Sequence, residues 1–367
     1  MGFQCGIVGL PNVGKSTLFN ALLSTMQAAA ANYPFCTIEP NVGRVEVPDD
    51  RLEKLAAIAG SAKLIPTQLE FVDIAGLVRG ASKGEGLGNK FLSHIREVDA
   101  VIYVLRCFDD GDVVHVEGRV DPIRDAGIVE TELMLADLES LEKRLPAAQK
   151  KAKLGDAEAG DQAALMERVL AVLNDGQPAR SLKVRDDSER QQLQQLQLIT
   201  TKPVMYVCNV DEGSAATGNA HSETVAKMAA ERGAPCVVVS AKIEAEISLL
   251  TNPEERAEFL GSLGLEATGL SRVIGAGYRL LNLITYFTVG PKEARAWTIT
   301  SGTLAPQAAG VIHTDFEKGF IRAETVSCDD YLALGGESGA KKAGRFRLEG
   351  KEYPVQDGDV LHFRFSV

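Results

Sequence analysis

The 367-residue sequence has little of several features that would assign it to particular classes of protein. It contains six widely scattered cysteines and no C-x-x-C pair, which disfavours a disulfide framework or a zinc knuckle and favours a reducing compartment. No apolar run approaches the length of a membrane span, and the N-terminus has neither a basic n-region nor a small-residue cleavage site. We therefore expect a cytoplasmic protein with no membrane partner.

Basic residues are also in deficit, because 39 lysines and arginines stand against 50 acidic residues and leave a formal net charge of −11. This charge disfavours non-specific binding of nucleic acid by the whole surface, although a local basic patch is still allowed. One basic stretch lies near the C-terminus: Lys341, Lys342, Arg345, Arg347 and Lys351. A solvated charged loop and a contact with a phosphate backbone both remain open for it.

What the sequence does contain is a complete phosphate-binding pattern near its start. Residues 9–16 read GLPNVGKS and match G-x-x-x-x-G-K-[ST], between an apolar strand at residues 3–8 and a helix from residue 16. The glycines let backbone N–H groups approach phosphate oxygens, the lysine can reach the β- and γ-phosphates, and the serine can ligate Mg²⁺. The predicted nucleotide contacts in this P-loop are Asn12, Val13, Gly14, Lys15, Ser16 and Thr17.

Two later segments are expected to complete the site for Mg²⁺ and the γ-phosphate. Thr37 lies in a proline-bounded loop about twenty residues past the P-loop, where a nucleotide switch would supply a second metal ligand. A plain surface hydroxyl is the alternative. Asp73 ends an apolar strand in a D-x-x-G pattern and is expected to hold Mg²⁺, while the Gly76 N–H approaches the γ-phosphate. The glycine-rich residues 77–89 predict either a mobile segment or a static loop.

The order of elements predicts an α/β fold. Strands alternate with helices, which favours the doubly wound, mostly parallel sheet of a P-loop NTPase G domain, with ligands at the carboxyl ends of the strands. We assign residues 1–127 and 201–280 to this domain and the strand-rich residues 281–367 to a C-terminal domain. Residues 128–200, with three helical apolar stripes, are assigned to an inserted arm whose first helix is kinked or ended by Pro146.

These motifs resemble the YchF/Obg-like ATPase family, the ribosome-associated P-loop proteins related to Obg. The resemblance covers nearly the whole chain through GLPNVGKST, NYPFCTIEPN, FVDIAGLVRGASKGEGLGNKFL, the helical insertion, RAWTI, APQAAG and IHTDFEKGFIRAE. It implies a G domain, a coiled-coil arm and a C-terminal TGS domain of β-grasp type. It also implies that the partners are ATP, the ribosome and its rRNA.

Base recognition departs from that of ordinary GTPases, which read guanine with N-K-x-D. The sequence N-V-D-E stands at that place, so Val210 replaces the lysine and Glu212 replaces the aspartate. The longer carboxylate is expected to lose the geometry for guanine. The resemblance implies that ATP is preferred or that both purines bind, with Asn209, Val210 and Glu212 as nucleotide contacts and Ser240 and Ala241 packed against the base edge.

The group that orients the attacking water also differs from that of Ras-like enzymes, which use a glutamine after D-x-x-G. Leu77 occupies that position and cannot hydrogen-bond water. The resemblance points to His115, which together with Lys15 and Gly76 forms the predicted catalytic set, although a lone loop histidine can equally be solvated surface. Asn12 resembles the asparagine of potassium-stimulated relatives and so implies K⁺ as a second cation.

Three functions are consistent with these residues. The first is a slow ATPase whose nucleotide state gates ribosome binding. The second is a nucleotide-gated binding protein with negligible turnover, and the third is a GTPase translation factor, against which Glu212 argues. We expect a monomer.

Overall fold

The structure, a computed structural model, describes residues 3–30, 42–74, 87–110, 115–250 and 252–366, with side chains for all of these except 25–30, 87–90 and 253. The strands are β1 (Gln4–Val8), β2 (Val42–Glu46), β3 (Leu64–Ile65), β4 (Gln68–Asp73), β5 (Ala100–Arg106), β6 (Val204–Asn209), β7 (Cys236–Val239), β8 (Leu283–Val289), β9 (Ala294–Thr300), β10 (Phe320–Ser327), β11 (Arg347–Glu349) and β12 (Asp359–Phe365).

The helices are α1 (Lys15–Ala30), α2 (Asp50–Ala59), α3 (Leu87–Glu97), α4 (Pro122–Lys153), α5 (Ala157–Asn174), α6 (Asp187–Gln195), α7 (Ala220–Glu231), α8 (Ala241–Leu249), α9 (Pro253–Ser262), α10 (Gly269–Leu280), α11 (Ala305–Ile312), α12 (Thr314–Lys318), α13 (Cys328–Ala333) and α14 (Glu337–Lys342). Single 3-10 turns span Ala179–Ser181, Ile199–Thr201 and Glu212–Ser214. The chain forms two compact units, one of Phe3–Gly43 with Glu70–Val273 and one of Arg44–Leu69 with the chain from Ile274 onward.

The first unit is built on a sheet of strand order β2-β4-β1-β5-β6-β7. Neighbouring strands from β4 to β7 run parallel. All seven residues of β5 are buried, and its sequence AVIYVLR is almost wholly apolar because parallel sheets are covered on both faces. The carboxyl ends of parallel strands lie along one edge, so the segments that follow β1, β4, β6 and β7 meet there. The predicted α/β fold with a mostly parallel sheet is confirmed.

The predicted helical arm is formed by α4, α5 and α6. The residues of its three apolar stripes share one buried cluster that includes Met134, Leu141, Met166, Val169, Leu173, Leu193 and Leu196. The first helix begins at Pro122 rather than near residue 128, because Asp121 caps it by accepting a hydrogen bond from the Arg124 N–H (3.1 Å) and proline suits a first turn. It also does not end at Pro146. That proline lies on an exposed side of α4, where water can satisfy the carbonyl that its ring leaves unpaired.

Buried carboxylates tie the arm to the body of the first unit. Asp137 of α4 is fully buried and accepts hydrogen bonds from the backbone N–H groups of residues 199 and 200 (2.9 and 2.8 Å) and from Thr200 Oγ1 (2.7 Å). Burial raises the pKa of Asp137 despite these three bonds. Glu130 accepts a hydrogen bond from Arg232 at the end of α7 (2.8 Å). The arm is therefore part of the first unit and not a separate body.

The second unit contains a mixed sheet of strand order β11-β10-β12-β8-β9-β3. Pairs β10–β11, β10–β12 and β8–β9 are antiparallel, whereas β12–β8 and β3–β9 are parallel. Helix α2 packs on one face, where Leu55 joins Phe287 and Val360, and α11 packs on the other, beside Tyr286 and Phe363. Consecutive residues of a strand point to opposite faces, so both faces of β8 are covered. The strand-rich C-terminal domain is confirmed.

The boundary of this unit differs from the predicted one, which placed residues 44–69 in the nucleotide domain. Arg51 of α2 donates a hydrogen bond to Asp357 Oδ2 (2.7 Å), in the turn before β12, and its guanidinium lies over the Phe287 ring (5.3 Å to the centroid). The apolar face of α2 is buried by β8 and β12, which are more than two hundred residues away in the sequence. A pairing over this distance leaves no local pattern in the chain.

Within the described ranges, no helix combines the length and the apolar character that crossing a membrane requires. The five cysteines in those ranges are free thiols, and Cys36 lies outside them. Cys5, in β1, is buried, and this burial raises the pKa of its thiol to about 12. Such a thiol packs as a small apolar side chain and stays protonated near neutral pH.

Candidate functional site

The loop between β1 and α1 lies closely against the carboxyl end of the neighbouring strand β5. A Cβ on Gly9 would lie 2.7 Å from the Val104 carbonyl oxygen, so only glycine fits there. Asn12 (φ 63°) and Gly14 (φ 90°) adopt left-handed backbone, which these two residue types tolerate best. Helix α1 starts directly afterwards, and the Leu18 N–H donates to the Gly14 carbonyl (3.0 Å). Because the first N–H groups of a helix have no helical acceptor, this turn suits phosphate oxygens.

Lys15, which is buried, and Asp73, which is half-buried, form an ion pair beside this loop. Lys15 is 8% exposed, and its Nζ donates a hydrogen bond to Asp73 Oδ1. The register of β1 and β4 pairs Ile7 with Asp73, which places the carboxylate next to the start of the P-loop. Each charge is the counter-ion of the other, so neither is buried alone. The structure therefore brings two of the predicted site residues into direct contact.

Asn209 links the P-loop to the segments that follow β6 and β7. Its side chain is 4% exposed, its Nδ2 donates to the Val13 carbonyl (2.9 Å), and its Oδ1 accepts from the Ala241 N–H (2.9 Å). Gly14 passes directly beneath it, since a Cβ there would lie 2.1 Å from Asn209 Nδ2. The sequence suggested that Asn209 contacts the base. In the structure its amide group is bonded to backbone groups and holds the three loops together.

The residues after Asn209 form the segment that was predicted to recognise the base. Val210 is buried, and the Asp211 carboxylate accepts hydrogen bonds from the N–H and the hydroxyl of Ser214 (both 3.0 Å). Glu212 is exposed and forms an ion pair with Lys242 at the start of α8 (2.5 Å). Lys242, the last residue of the S-A-K triplet after β7, was not among the predicted site residues. The carboxylate expected to meet the base thus has a lysine beside it.

Ser240 carries a buried hydroxyl group that has no hydrogen-bond partner among the described residues. It precedes α8 as the N-cap residue, makes no side-chain capping bond and is 2% exposed. In the part of the chain that the structure describes, its Oγ is one of two buried side-chain atoms without a hydrogen-bond partner. An unpaired buried hydroxyl is unfavourable, so a polar atom of a ligand is a suitable partner. The N–H of Ala241, by contrast, is already bonded to Asn209.

His115 is buried, and both of its ring nitrogens are hydrogen-bonded. It is 8% exposed, its Nε2 lies 2.8 Å from Asp125 Oδ2, and its Nδ1 accepts from the Glu117 N–H (3.0 Å). The alternative of a solvated surface histidine is therefore wrong. Neither nitrogen is open to a water molecule in this arrangement, so the catalytic role stays a prediction that requires the ring to move.

Some predicted site residues lie outside the described ranges. Thr37 falls in residues 31–41, and Gly76 and Leu77 fall in residues 75–86. Ser16 and Thr17 are described and are exposed at the start of α1. Nowhere in the described ranges do three or more His, Cys, Asp or Glu side chains cluster as metal ligands. A Mg²⁺ site does not need such a cluster, because Mg²⁺ is commonly held by one or two protein groups, water and phosphates.

The basic stretch near the C-terminus is partly neutralised within the second unit. Three of its five side chains have acidic partners: Lys341 with Glu337, Arg345 with Asp330 (3.8 Å), and Arg347 with Asp359 (3.3 Å) and Glu349 (3.4 Å). Lys341 also lies over the Phe346 ring (4.4 Å to the centroid). These contacts favour the interpretation as a charged, internally paired surface.

Comparison with known proteins extends over both units. Residues 4–133 match a family model described as a 50S ribosome-binding GTPase, and residues 283–366 match the YchF-GTPase C-terminal model, described as a protein of unknown function. The chain is 56% identical to "Ribosome-binding ATPase YchF" of Haemophilus influenzae and 53% identical to the protein of that name from Bacillus subtilis, over all of both chains in each case. The solved structure of the Schizosaccharomyces pombe YchF GTPase is 40% identical and covers 99% of this chain and 98% of its own, with a TM-score of 0.89.

Proposed function

Because the chain belongs to the YchF family of ribosome-binding ATPases, we propose that it binds and hydrolyses ATP and that its nucleotide state controls its association with the ribosome. The observation that carries this proposal is the ion pair between the buried Lys15 and Asp73 beside the P-loop. The lysine can bind phosphate oxygens and the carboxylate can bind a metal ion, and the two groups are in contact at the start of α1. A P-loop nucleoside triphosphatase uses both groups in this way.

Mg²⁺ is the metal that the donor set suits. The Ser16 hydroxyl and the Asp73 carboxylate are hard oxygen donors on adjoining elements, and Thr37 is the proposed third ligand. When bound, Mg²⁺ would neutralise part of the phosphate charge. Lys15 would then leave Asp73 for the β- and γ-phosphates, so the present ion pair serves to hold both groups in position until the nucleotide arrives.

Hydrolysis needs a group that orients water, because Leu77 stands where Ras-like enzymes have glutamine. We assign that role to His115, whose imidazole can hold a water or accept a proton near neutral pH. The Gly76 N–H is assigned to the γ-phosphate. Asn12, at the exposed tip of the P-loop, is the proposed contact for K⁺. We further propose that the protein is cytoplasmic and monomeric and that it contacts rRNA.

Base preference is expected to follow the residues after Asn209. Wild type should bind ATP more tightly than GTP, and the change of Val210→Lys with Glu212→Asp should shift the ratio toward GTP by about tenfold, or ~1.4 kcal/mol. The physical reason is that Glu212, paired with Lys242, is one methylene longer than the aspartate that accepts from guanine. The measurement is equilibrium binding of both nucleotides with Mg²⁺. Lys242→Met is the matched control, because it breaks the pair without creating N-K-x-D. A wild type that clearly prefers GTP would contradict the ATPase assignment.

Ribosome association is expected to depend on the nucleotide. Co-sedimentation with purified ribosomes should differ by about tenfold between a non-hydrolysable ATP analogue and ADP, a difference typical of coupling between two sites. Turnover measured with and without ribosomes separates a gating ATPase, which is stimulated, from a nucleotide-gated binding protein, which barely turns over in either case. Equal sedimentation in every nucleotide state would show that the nucleotide does not control binding.

A further inference from the structure

The two hydrogen bonds of His115 form a closed arrangement at the beginning of the arm. The chain turns tightly from His115 to Gly118, whose N–H donates to the His115 carbonyl (3.0 Å) and whose φ is 78°. Within this turn the Glu117 N–H donates to Nδ1 (3.0 Å). Since Nδ1 is an acceptor, Nε2 carries the proton and donates to Asp125 Oδ2 (2.8 Å). The ring is therefore a neutral imidazole with both nitrogens engaged.

Asp125 is held rigidly. It lies in the first turn of α4, the 32-residue helix of the arm, and its side chain is 1% exposed. Its other oxygen, Oδ1, accepts hydrogen bonds from Nε and Nη2 of Arg124 (3.2 and 3.0 Å). The start of the helix is itself fixed by the cap at Asp121. The carboxylate that receives His115 is thus part of a firm element.

A carboxylate can serve a histidine in two ways. In hydrolases with an activated histidine, the carboxylate binds one ring nitrogen and leaves the other facing the reacting group. Here the second nitrogen faces the Glu117 N–H of its own turn, and the ring is 8% exposed. In this geometry both ring nitrogens are occupied, so neither is available to bind the attacking water. The carboxylate also keeps its Arg124 partner when the histidine leaves, so departure of the ring does not strand a buried charge.

We propose that Asp125 is a positioning residue that latches His115 in an inactive position, and that hydrolysis requires His115 to leave this latch. The inference rests on the proposed function, because it takes His115 as the group that orients water. It adds the cause of a low basal rate, namely that most molecules hold the imidazole against α4. Any partner that raises turnover would then do so by favouring the released histidine.

The test is steady-state ATP hydrolysis by the full-length protein with Mg²⁺. Asp125→Ala should raise kcat by roughly tenfold, the change expected from losing one hydrogen bond to a charged group. KM should change by less than about twofold, since Asp125 is not among the predicted nucleotide contacts and bonds to His115 and Arg124. Asp125→Asn preserves the shape and a neutral acceptor, so it should raise kcat by about threefold and remains informative where the alanine variant is too unstable. Asp121→Ala is the control for a loosened helix start, because it removes the cap but keeps the bond between Asp125 and His115. Its rise in kcat should be well below that of Asp125→Ala, and an equal rise would overturn the latch.

A double-mutant cycle makes the outcomes distinguishable. His115→Ala should lower kcat strongly, and Asp125→Ala added to it should cause no rise. A fall in kcat for Asp125→Ala that disappears in the His115→Ala background would show that Asp125 orients an active histidine and would overturn the latch. A fall of equal size in both backgrounds, or no change in either, would overturn it as well. Full activity of His115→Ala would remove the proposed catalytic role itself, and the latch with it, while leaving nucleotide binding untouched.

Discussion

Replacing Lys15 by methionine is expected to lower kcat/KM for ATP hydrolysis by about 10³-fold, or ~4 kcal/mol of transition-state stabilisation. The lysine supplies the positive charge for the β- and γ-phosphates, and charge that develops on these oxygens is stabilised strongly in a buried site. Lys15 is also 8% exposed and paired with Asp73, so the variant leaves a half-buried carboxylate without its counter-ion. We therefore expect the free energy of unfolding to fall as well, by about 2 kcal/mol.

The two effects of this variant can be separated. Adding Asp73→Asn to Lys15→Met removes the uncompensated charge, so the free energy of unfolding in a denaturant titration should recover while hydrolysis stays lost. Lys227→Met, on the exposed side of α7, removes a lysine far from any assigned role and should match wild type in both measurements. Hydrolysis by Lys15→Met within tenfold of the wild-type rate would mean that the P-loop is not the phosphate site.

Replacing Asn209 by alanine is the second change with a large expected effect. It removes two buried hydrogen bonds, to the Val13 carbonyl and from the Ala241 N–H, and leaves both backbone groups without their partner. We expect the free energy of unfolding to fall by about 2–4 kcal/mol. The Kd for ATP should rise by at least about tenfold, because the P-loop and the segment beside the base are no longer held in one geometry.

Asn219 offers a matched control for this prediction. It is also an asparagine that binds backbone, but its side chain caps α7 through the Ser222 N–H (3.1 Å) and donates to the Cys107 carbonyl (2.7 Å), whereas Asn209 bonds to the P-loop. Asn219→Ala should therefore lose a comparable amount of stability and keep the wild-type Kd for ATP. If Asn209→Ala binds ATP as tightly as wild type in isothermal titration, Asn209 is only a structural residue.

Local patterns were sufficient for most elements of the fold. β5, β6 and β7 illustrate this, because each is a short apolar run bounded by polar or turn residues, the pattern from which the alternating strands were predicted. The three apolar stripes predicted the helices of the arm, and in the structure residues of all three stripes share one buried cluster. The sequence left open whether Pro146 kinks or ends the first arm helix. The helix continues past it, with the proline on an exposed side that the sequence does not specify.

The sequence by itself determined the identity of the phosphate-binding chemistry, since a P-loop needs only consecutive residues in a set order between a strand and a helix. It also determined the departure at Glu212, which is a matter of residue type at a known spacing. The tertiary structure alone decided that Asn209 bonds to the backbone of two other loops and that Lys242 lies beside Glu212. It alone decided that His115 is held by Asp125 and that α2 packs with the C-terminal sheet. Each of these contacts depends on which of several possible partners a side chain meets after the chain has folded. Hydrogen bonds and apolar contacts between distant residues leave no periodic pattern in the sequence, so the sequence alone does not predict them.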